Sequence, residues 1–306
     1  MREPDEVFQG ADSIKETPEA LEKYRQAGKI LREVRESAVP RVKKGASLLE
    51  VANAIEADIA ARGGRPAFPV NISMDSKAAH DTPEPDDKRV FEDNIVKLDI
   101  GVHVDGYIAD TAVTVDLSGH PDLVRASERA LEEAIKVVRA GAFTGEIGEV
   151  VERTIDDLGF KPIYNLTGHG LQRYVQHAPP SIPNKRIGQG TMLEAGQVIA
   201  IEPFATDGIG LVVEGGMADI FSLIAVRPVR MPAEREMLEA IKAYQGLPFA
   251  RRWLSGMKRV DSTLASLMRS GIVHAYPVLV EERGGLVSQA EHTLIVTEDG
   301  CEVTTR

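Results

Sequence analysis

The chain has 306 residues, and its 43% hydrophobic and 27% charged residues are ordinary for a globular enzyme, which excludes disordered and fibrous proteins. The formal net charge of −11 argues against a nucleic-acid partner, because a protein that binds nucleic acid needs a basic face. The single cysteine, Cys301, excludes an internal disulfide and a cysteine-based metal site.

The first elements in chain order are two helices. The acidic residues 1–6 lack the apolar segment of a secretion signal, and no later stretch has the roughly 18 consecutive apolar residues of a membrane span. We therefore expect a cytoplasmic protein with no membrane partner. Apolar residues spaced three and four apart predict a helix over 17–38. A second helix is predicted over 47–62, where Ser47 and Glu50 form a capping box.

Two β-rich runs between 96 and 115 flank Asp105-Gly106, a dipeptide that strongly favours a two-residue hairpin turn. With these residues in the turn, Asp99 and Asp110 are diagonal neighbours on one face, about 7–8 Å apart at the backbone. Two carboxylates directed at one point among apolar neighbours are costly unless they are protonated or bridged by cations. The pair predicts a metal site, although strand alternation would let a single aspartate face solvent and a β-bulge would change the geometry.

The same order of elements returns at an offset of 96 residues. Helices are predicted over 121–140 and 144–158, and Gly159 ends the second of them. Eight positions are identical without a gap when residues 42–66 are aligned with 138–162. Shared helix-capping preferences would produce some of these identities, but their number favours an internal duplication. The sequence therefore predicts an α+β fold made of two helix–helix–strand halves related by a pseudo-two-fold axis.

Three further residues are candidate metal ligands. His169 lies between two glycines, Glu202 ends the apolar run 198–201, and Glu291 precedes the apolar run 292–296. Each has an ordinary alternative as a hydrogen-bonded polar residue. Together with the aspartate pair they provide four carboxylates and one imidazole, a set that suits two divalent ions such as Mn²⁺, Fe²⁺ or Co²⁺ and also admits zinc. Two such ions about 3.5–4 Å apart hold a bridging hydroxide at neutral pH and polarise a carbonyl group.

The pattern changes toward the C-terminus. Residues 233–244 and 261–269 have helical periodicity, whereas strand-like segments lie on both sides, near 211–229 and 274–299. We expect a helical subdomain that interrupts a sheet. No low-complexity linker marks a separate domain, so the whole chain, 1–306, is expected to be one catalytic domain.

The order of the five candidate ligands resembles that of the pita-bread metallopeptidases: Asp99, Asp110, His169, Glu202 and Glu291. Several short segments are similar to methionine aminopeptidases: Ala67 to Asn71, Ala79-His80, Gly168-His169 with His177 eight residues on, Ile201 to Phe204, and Glu291 to Thr293. The helical interruption, about 220–275, resembles the insertion that separates type 2 enzymes from type 1, in their compact archaeal form. The resemblance spans about 15–300 and implies two halves around a central curved antiparallel sheet.

The resemblance also implies a role for each matched ligand. Asp110 and Glu291 would bridge two metal ions. Asp99 would complete the coordination of one ion, and His169 with Glu202 that of the other. Glu202 would also carry the proton of the attacking water, first as general base and then as general acid. The ions would be Co, Mn, Fe, Ni or Zn, with the native identity open.

On the substrate side, His80 and His177 would hydrogen-bond the scissile amide or its oxyanion. Phe68 and Tyr276 would help to wall an apolar pocket for a methionine side chain, with plain core aromatics as the alternative. The implied activity is removal of the N-terminal methionine from peptides and nascent proteins whose second residue is small. A monomer is expected, and a transient encounter with the ribosome is left open.

Two positions depart from the family pattern, and two other functions remain open. Gln176 stands where an apolar pocket residue is common, and Pro179 where glycine is usual, so details of the pocket are affected more than the metal site. An Xaa-Pro dipeptidase or aminopeptidase of the same fold would keep the same five ligands. A catalytically inactive binding protein of this fold would lose some of them.

Overall fold

A computed structural model describes residues 16–306, so the expectation for residues 1–6 lies outside the described residues. The N-terminal half (18–116) contains α1 (Pro18–Ala38), α2 (Leu48–Ala61), β1 (Arg65–Pro66), β2 (Asn71–Met74), β3 (Lys77–Ala79), β4 (Ile95–Val104) and β5 (Tyr107–Asp116). The next elements are α3 (Pro121–Ile135), α4 (Thr144–Asp157), β6 (Lys161–Pro162), β7 (Thr167–Gln172), β8 (Val175–Pro183), β9 (Val198–Ile201) and β10 (Phe204–Thr206).

The remaining elements are β11 (Val212–Glu214), β12 (Ile220–Leu223), α5 (Pro232–Ile241), β13 (Phe249–Ala250), α6 (Val260–Arg269), β14 (Val273–Tyr276), β15 (Leu279–Glu281), β16 (Val287–Gln289), β17 (His292–Val296) and β18 (Cys301–Val303). Strands β16 to β18 return to pair with β9 and β10, so we define the C-terminal half as residues 121–206 together with 287–303. The fold is α+β, as the sequence predicts.

The predicted helices form where their capping residues indicate. The side chain of Thr17 accepts a hydrogen bond from the amide of Ala20 at the start of α1, and Ser47 accepts one from the amide of Glu50 at the start of α2. The prediction that a helix continues to residue 140 is wrong, because α3 ends at Ile135. Turns that bury Val138 follow there, and the amide of Ala140 donates to the carbonyl of Thr297 instead of continuing the helix.

The internal duplication is visible in backbone conformation. Gly45 and Gly141 have φ of 82° and 81°, and Gly63 and Gly159 have φ of 82° and 84°, so both pairs keep the left-handed conformation at an offset of 96 residues. A residue with a side chain rarely adopts this conformation, which explains why glycine occupies all four positions. The predicted pseudo-two-fold relation between the halves is confirmed.

The two halves bring antiparallel sheets together. In the N-terminal half β4 pairs with β5 along one edge and with β1 and β2 along the other, and the largest sheet of the C-terminal half has the order β18-β17-β9-β7-β8. The sheets join where β5 meets the start of β17. There the amide of Glu291 donates to the carbonyl of Ala112 over 3.0 Å, and the Thr111 hydroxyl donates to the carbonyl of Glu291 over 2.7 Å.

Each half has its own hydrophobic core beneath its pair of helices. A third cluster lies within residues 221–273, where α5 and α6 pack on β12, β13 and β14. Trp253 and Arg252 connect this cluster to the N-terminal half, because both side chains bond the Glu56 carboxylate of α2. Among residues 16–306, no helix combines the length and the apolar character that crossing a membrane requires.

Candidate metal centre

A cavity of about 260 Å³ opens between the two halves. The five predicted metal ligands all line it, as do both histidines predicted on the substrate side: Asp99, Asp110, His169, Glu202, Glu291, His80 and His177. Residues that are up to 211 positions apart in the sequence therefore converge on one enclosed space, His80 with Glu291 being the most distant pair. The side chains can therefore act together on a molecule or ion bound in this cavity.

The hairpin of β4 and β5 places the first two carboxylates as predicted. Its pairing continues without a register shift from the Asp105-Gly106 turn, so that Asp99 lies opposite Ala112 and Asp110 opposite Gly101. The aspartates are thus diagonal neighbours on the face that borders the cavity. Because the ladder is regular, the side-chain alternation inferred from the sequence holds over the whole hairpin.

His169 reaches the same cavity through an irregular strand. The pairing of β7 with β8 shifts register between Gly168 and Gly170 and again before Gln172. Such shifts change the direction in which a side chain points. The Nδ1 atom of His169 lies 3.1 Å from the carbonyl of Gly170, which can only accept, so Nδ1 carries the proton. The lone pair of Nε2 is then free, 3.6 Å from Glu202 Oε1 and 3.9 Å from Asp110 Oδ2.

The two glutamates meet at the ends of adjacent strands. Strand β9 pairs with β17 in a register that joins Ile201 to His292, and Glu202 and Glu291 lie one residue beyond that pair. The side-chain amide of Gln289 donates to Glu202 Oε2 over 3.3 Å. The antiparallel register therefore explains why one glutamate follows its strand while the other precedes its strand.

Burial of four carboxyl groups together raises the pKa of each. Burial raises the pKa of Asp99 to about 7, with hydrogen bonds from Asn71 and Gln289 acting in the opposite direction. Burial, reinforced by neighbouring carboxylates, raises the pKa of Asp110, Glu202 and Glu291 well above their ordinary values. The site therefore binds protons strongly, and a cation among these oxygens would take the place of those protons.

The unpaired atoms in the cluster fit divalent cations. Asp99 Oδ1, Asp110 Oδ1 and Glu291 Oε1 are buried and have no hydrogen-bond partner among the described residues. Ligand atoms of Asp110, His169 and Glu291 lie within 4.8 Å of one another. Buried carboxylate oxygens are almost always satisfied, and an imidazole with its lone pair facing them completes an oxygen- and nitrogen-rich ligand set.

The sequence matches metallopeptidase family M24 over residues 22–298. The chain belongs to this family. A methionine aminopeptidase from Archaeoglobus fulgidus is 52% identical over 290 residues, which cover 94% of this chain and 99% of the relative. The crystal structure of a methionine aminopeptidase from Thermotoga maritima has a TM-score of 0.71 at 23% identity and covers 95% of this chain and 98% of its own. This M24 chain is therefore a hydrolase that belongs with the methionine aminopeptidases.

The alternative functions have less support. A prolidase from Pyrococcus furiosus has a TM-score of 0.63 at 19% identity and covers 96% of this chain but 65% of its own, so it shares the fold alone. The curated relative in contrast matches along nearly its whole length. Membership of M24 implies a divalent metal, in agreement with the carboxylate cluster of the cavity.

Of the four residues predicted on the substrate side of this M24 chain, two line the cavity, whereas Tyr276 and Phe68 are not among its lining residues. His80 and His177 border the cavity, and the His177 ring lies edge-on to His169 with 4.6 Å between centroids. Tyr276 packs edge-on against His80, with ring centroids 5.7 Å apart. Phe68 is buried in a core cluster behind β4, where its ring covers Gly101, and it is not among the cavity-lining residues.

Two kinds of site residue were not predicted. Asn71 and Gln289 hydrogen-bond the carboxylates of Asp99 and Glu202, and Leu279 and Phe204 supply apolar lining. Asn71 stands opposite Asp99 in β2, a strand that no turn signal links to the hairpin. Asn71 and Phe204 lie inside segments that are similar to methionine aminopeptidases, so this similarity is the sequence feature that could have identified them.

Proposed function

We propose that the chain removes the N-terminal methionine from peptides and nascent proteins whose second residue is small. The observation that carries this proposal is the set of buried carboxylate oxygens without hydrogen-bond partners, which faces the Nε2 lone pair of His169 inside a cavity between the halves. The cavity of about 260 Å³ beside these groups would take the first residue and the scissile amide.

We assign two divalent ions to the five ligands. Asp110 and Glu291 would hold both ions, Asp99 would complete the ligand set of one, and His169 with Glu202 would complete that of the other. When bound, the ions lower the pKa of a water molecule and polarise the scissile carbonyl. The native ion is one of Co, Mn, Fe, Ni or Zn, because carboxylates and a single imidazole admit all five.

Glu202 is the residue best suited to carry a proton. Its Oε2 accepts from Gln289, which fixes the carboxyl group, and Oε1 faces the cavity beside His169. Burial and the nearby Asp99 carboxylate raise its pKa in the metal-free site, where a bound cation would take the place of the proton. We propose that it accepts a proton from the attacking water and delivers it to the leaving amine.

The two cavity histidines are neutral and have separate roles. Burial lowers the pKa of His80 and of His177 below the ordinary value. His80 Nδ1 lies 3.2 Å from the carbonyl of Pro277, so Nδ1–H donates there and Nε2 is left to accept the scissile N–H. His80 also has a φ of 64°, a left-handed conformation that is unfavourable for a non-glycine residue and is often found at active sites. We assign His177 to the scissile carbonyl oxygen as a donor.

The apolar side of the cavity would take the methionine side chain. Leu279, Phe204 and Leu166 line it, and Tyr276 supports it through its contact with His80. We propose that residues 220–275 form an inserted unit within a single catalytic domain. We also propose that the enzyme is a cytoplasmic monomer that meets chains transiently as they leave the ribosome.

The test is hydrolysis of Met-Ala-Ser by the purified protein, first stripped of metal and then titrated with Mn²⁺, Fe²⁺ or Co²⁺. Free methionine should appear as metal is restored, with two equivalents bound per chain, and Glu202→Gln should abolish its release. Glu128→Gln, on α3, is the matched control and should retain activity. Failure to release methionine with any metal, in a folded protein, would refute the proposal, as would cleavage confined to Xaa-Pro peptides.

A further inference from the structure

Strand β11 lies at the edge of its sheet, beside the cavity. Within the described part of the chain it pairs only with β15, in the order β11-β15-β3, and Glu214 stands opposite Leu279. Leu279 lines the cavity, and so does Asn165, which bonds the backbone of Val212. The outer side of β11 therefore lies next to residues that line the cavity.

Alternate residues of β11 direct their backbone groups away from β15. The carbonyl of Leu211 accepts from the amide of Glu282 over 2.9 Å, and the amide of Gly215 donates to the carbonyl of Val278 over 2.7 Å. Residues 211, 213 and 215 thus face β15, so the N–H and C=O groups of residues 212 and 214 point outward.

The two outward-facing residues differ in their partners. Asn165 satisfies Val212 completely, because its Oδ1 accepts from the Val212 amide over 3.0 Å and its Nδ2 donates to the Val212 carbonyl over 2.8 Å. The backbone of exposed Glu214 has no hydrogen-bond partner among residues 16–306. One donor and one acceptor are therefore left unpaired opposite the cavity-lining Leu279, in the geometry of a strand edge that can accept a further strand.

We propose that the main chain of the substrate, beyond its second residue, pairs with the free edge of β11 at Glu214. This inference rests on the function proposed above. Recognition through the main chain is independent of sequence, as an enzyme that acts on many different polypeptides requires. Up to two hydrogen bonds form, which extend the three-stranded sheet by one short strand and orient the chain as it enters the cavity.

A second copy of this chain fits the edge less well. Symmetric antiparallel pairing of two β11 strands would bring two Glu214 carboxylates close together across the pair, and like charges so placed are destabilising. A single free residue also provides too few hydrogen bonds to hold two folded proteins together. A substrate peptide needs little affinity at this edge, because the cavity already holds its first residue.

The test compares a hexapeptide with the tripeptide Met-Ala-Ser that forms its first three residues. The quantity measured is the ratio of kcat/KM for the hexapeptide to that for the tripeptide. Glu214→Pro removes the N–H, and proline is tolerated at an outward-facing edge position. We expect this ratio to fall about three- to tenfold, through KM of the hexapeptide. Glu214→Ala removes the carboxylate but keeps the N–H, and should keep the wild-type ratio.

N-methylation of the hexapeptide gives a second measurement that needs no variant. A methyl group on one main-chain nitrogen among residues three to five should raise KM for the wild-type protein. An unchanged ratio in Glu214→Pro, an equal fall in Glu214→Ala, or a methyl series without effect would each overturn the inference. Loss of self-association in Glu214→Pro with an unchanged ratio would assign the edge to a second copy. Absence of tripeptide cleavage would refute the proposed function instead.

Discussion

In the N-terminal half, β4 and β5 pair from Ile95 to Asp116 without a register shift, whereas in the C-terminal half the pairing of β7 with β8 shifts twice around His169. The helices above these strands are alike, and the glycines that end their loops have nearly equal φ values. The two strand pairs are not equivalent under the offset of 96 residues, which relates β7 to β2 and β4 to residues 191–200, so the two halves use different strands to supply ligands. The regular hairpin supplies two aspartates, and the irregular strand supplies a histidine.

The difference shows how a duplicated fold builds an asymmetric site. Strict alternation places carboxylates on one face at fixed spacing, which suits ligands shared between two ions. A register shift turns a single side chain toward a point that alternation would miss. The two contributions meet because Thr293 of β17 holds the backbone of Asp110, accepting from its amide over 2.7 Å and donating to its carbonyl over 2.8 Å.

Removal of one ligand from each half should have the largest effect. Asp110→Ala and His169→Ala are each expected to lower methionine release by about 10³-fold or more, because each half supplies ligands that the other half cannot replace. Kinetics on Met-Ala-Ser, combined with elemental analysis of bound metal, measure the effect. Asp105→Asn is the control, since asparagine tolerates the φ of 53° at that exposed turn. Full activity in either alanine variant would contradict the assignment of ligands.

Replacing one glycine by alanine in each half should have different effects, because the regular hairpin and the shifted strand surround the new methyl group differently. A Cβ on Gly170 would lie 2.1 Å from the backbone carbonyl oxygen of Pro179, whereas a Cβ on Gly101 would lie 2.2 Å from the ring of Phe68. Backbone cannot move aside without displacing His169, so Gly170→Ala should lose about 10²-fold in kcat/KM.

Gly101→Ala should instead cost about 1–3 kcal/mol of unfolding free energy, because the buried Phe68 ring has to repack. Its loss of activity should be smaller than that of Gly170→Ala. Urea unfolding and peptide kinetics on both proteins provide the comparison. The reverse order of activities would mean that the regular hairpin, and not the shifted strand, is the more sensitive part of the site.

Thr293→Val tests the contact that joins the halves. The substitution removes both hydrogen bonds to Asp110 and leaves a buried amide unpaired, which should lower the free energy of unfolding by about 1–3 kcal/mol. We also expect kcat/KM to fall about tenfold as Asp110 loses its fixed position. Thr297→Val, at an exposed position of the same segment, should stay within about 0.5 kcal/mol of wild type. Equal stabilities for the two variants would contradict the role given to Thr293.

His103 should give the smallest effect, in the pH dependence of stability. Its side chain is mostly buried in the hairpin, where Nδ1 accepts from the amide of Gly106 over 3.1 Å, and burial together with Arg65 lowers its pKa to about 4. The unfolded chain binds a proton near the ordinary value of 6.5, so the folded state binds fewer protons between these values. Stability should therefore fall as the pH drops from 6.5 to 4, by roughly 1–3 kcal/mol.

His103→Asn should make this dependence shallower, because asparagine can accept the same hydrogen bond without titrating. Urea unfolding of the metal-free protein at several pH values measures the slope. At pH 7.5 His103 is neutral in both the folded and the unfolded chain, so the difference in unfolding free energy between variant and wild type reports the change in packing alone. Identical slopes for variant and wild type would show that other groups cause the loss of stability in acid.

The sequence by itself determined whatever depends on local periodicity. Helix spacing and capping residues located the four scaffold helices, and the Asp105-Gly106 turn set the register that placed Asp99 and Asp110 on one face. The offset of 96 residues determined the two-fold arrangement, because glycines with positive φ must recur where the loops repeat. The identity of the five candidate ligands also came from the sequence, through the resemblance of their order and not through spacing alone.

Only the tertiary structure decided what depends on pairing between distant segments. The direction of His169 follows from two register shifts, and the approach of Glu202 to Glu291 follows from the pairing of β9 with β17. Asn71 and Gln289 act on carboxylates that are distant in the sequence. The edge is free at Glu214 because Asn165 bonds the backbone of Val212, whereas nothing in the described chain bonds the backbone of Glu214. Hydrogen bonds between segments far apart have no periodic signature, and their partners are fixed only when the whole chain has packed.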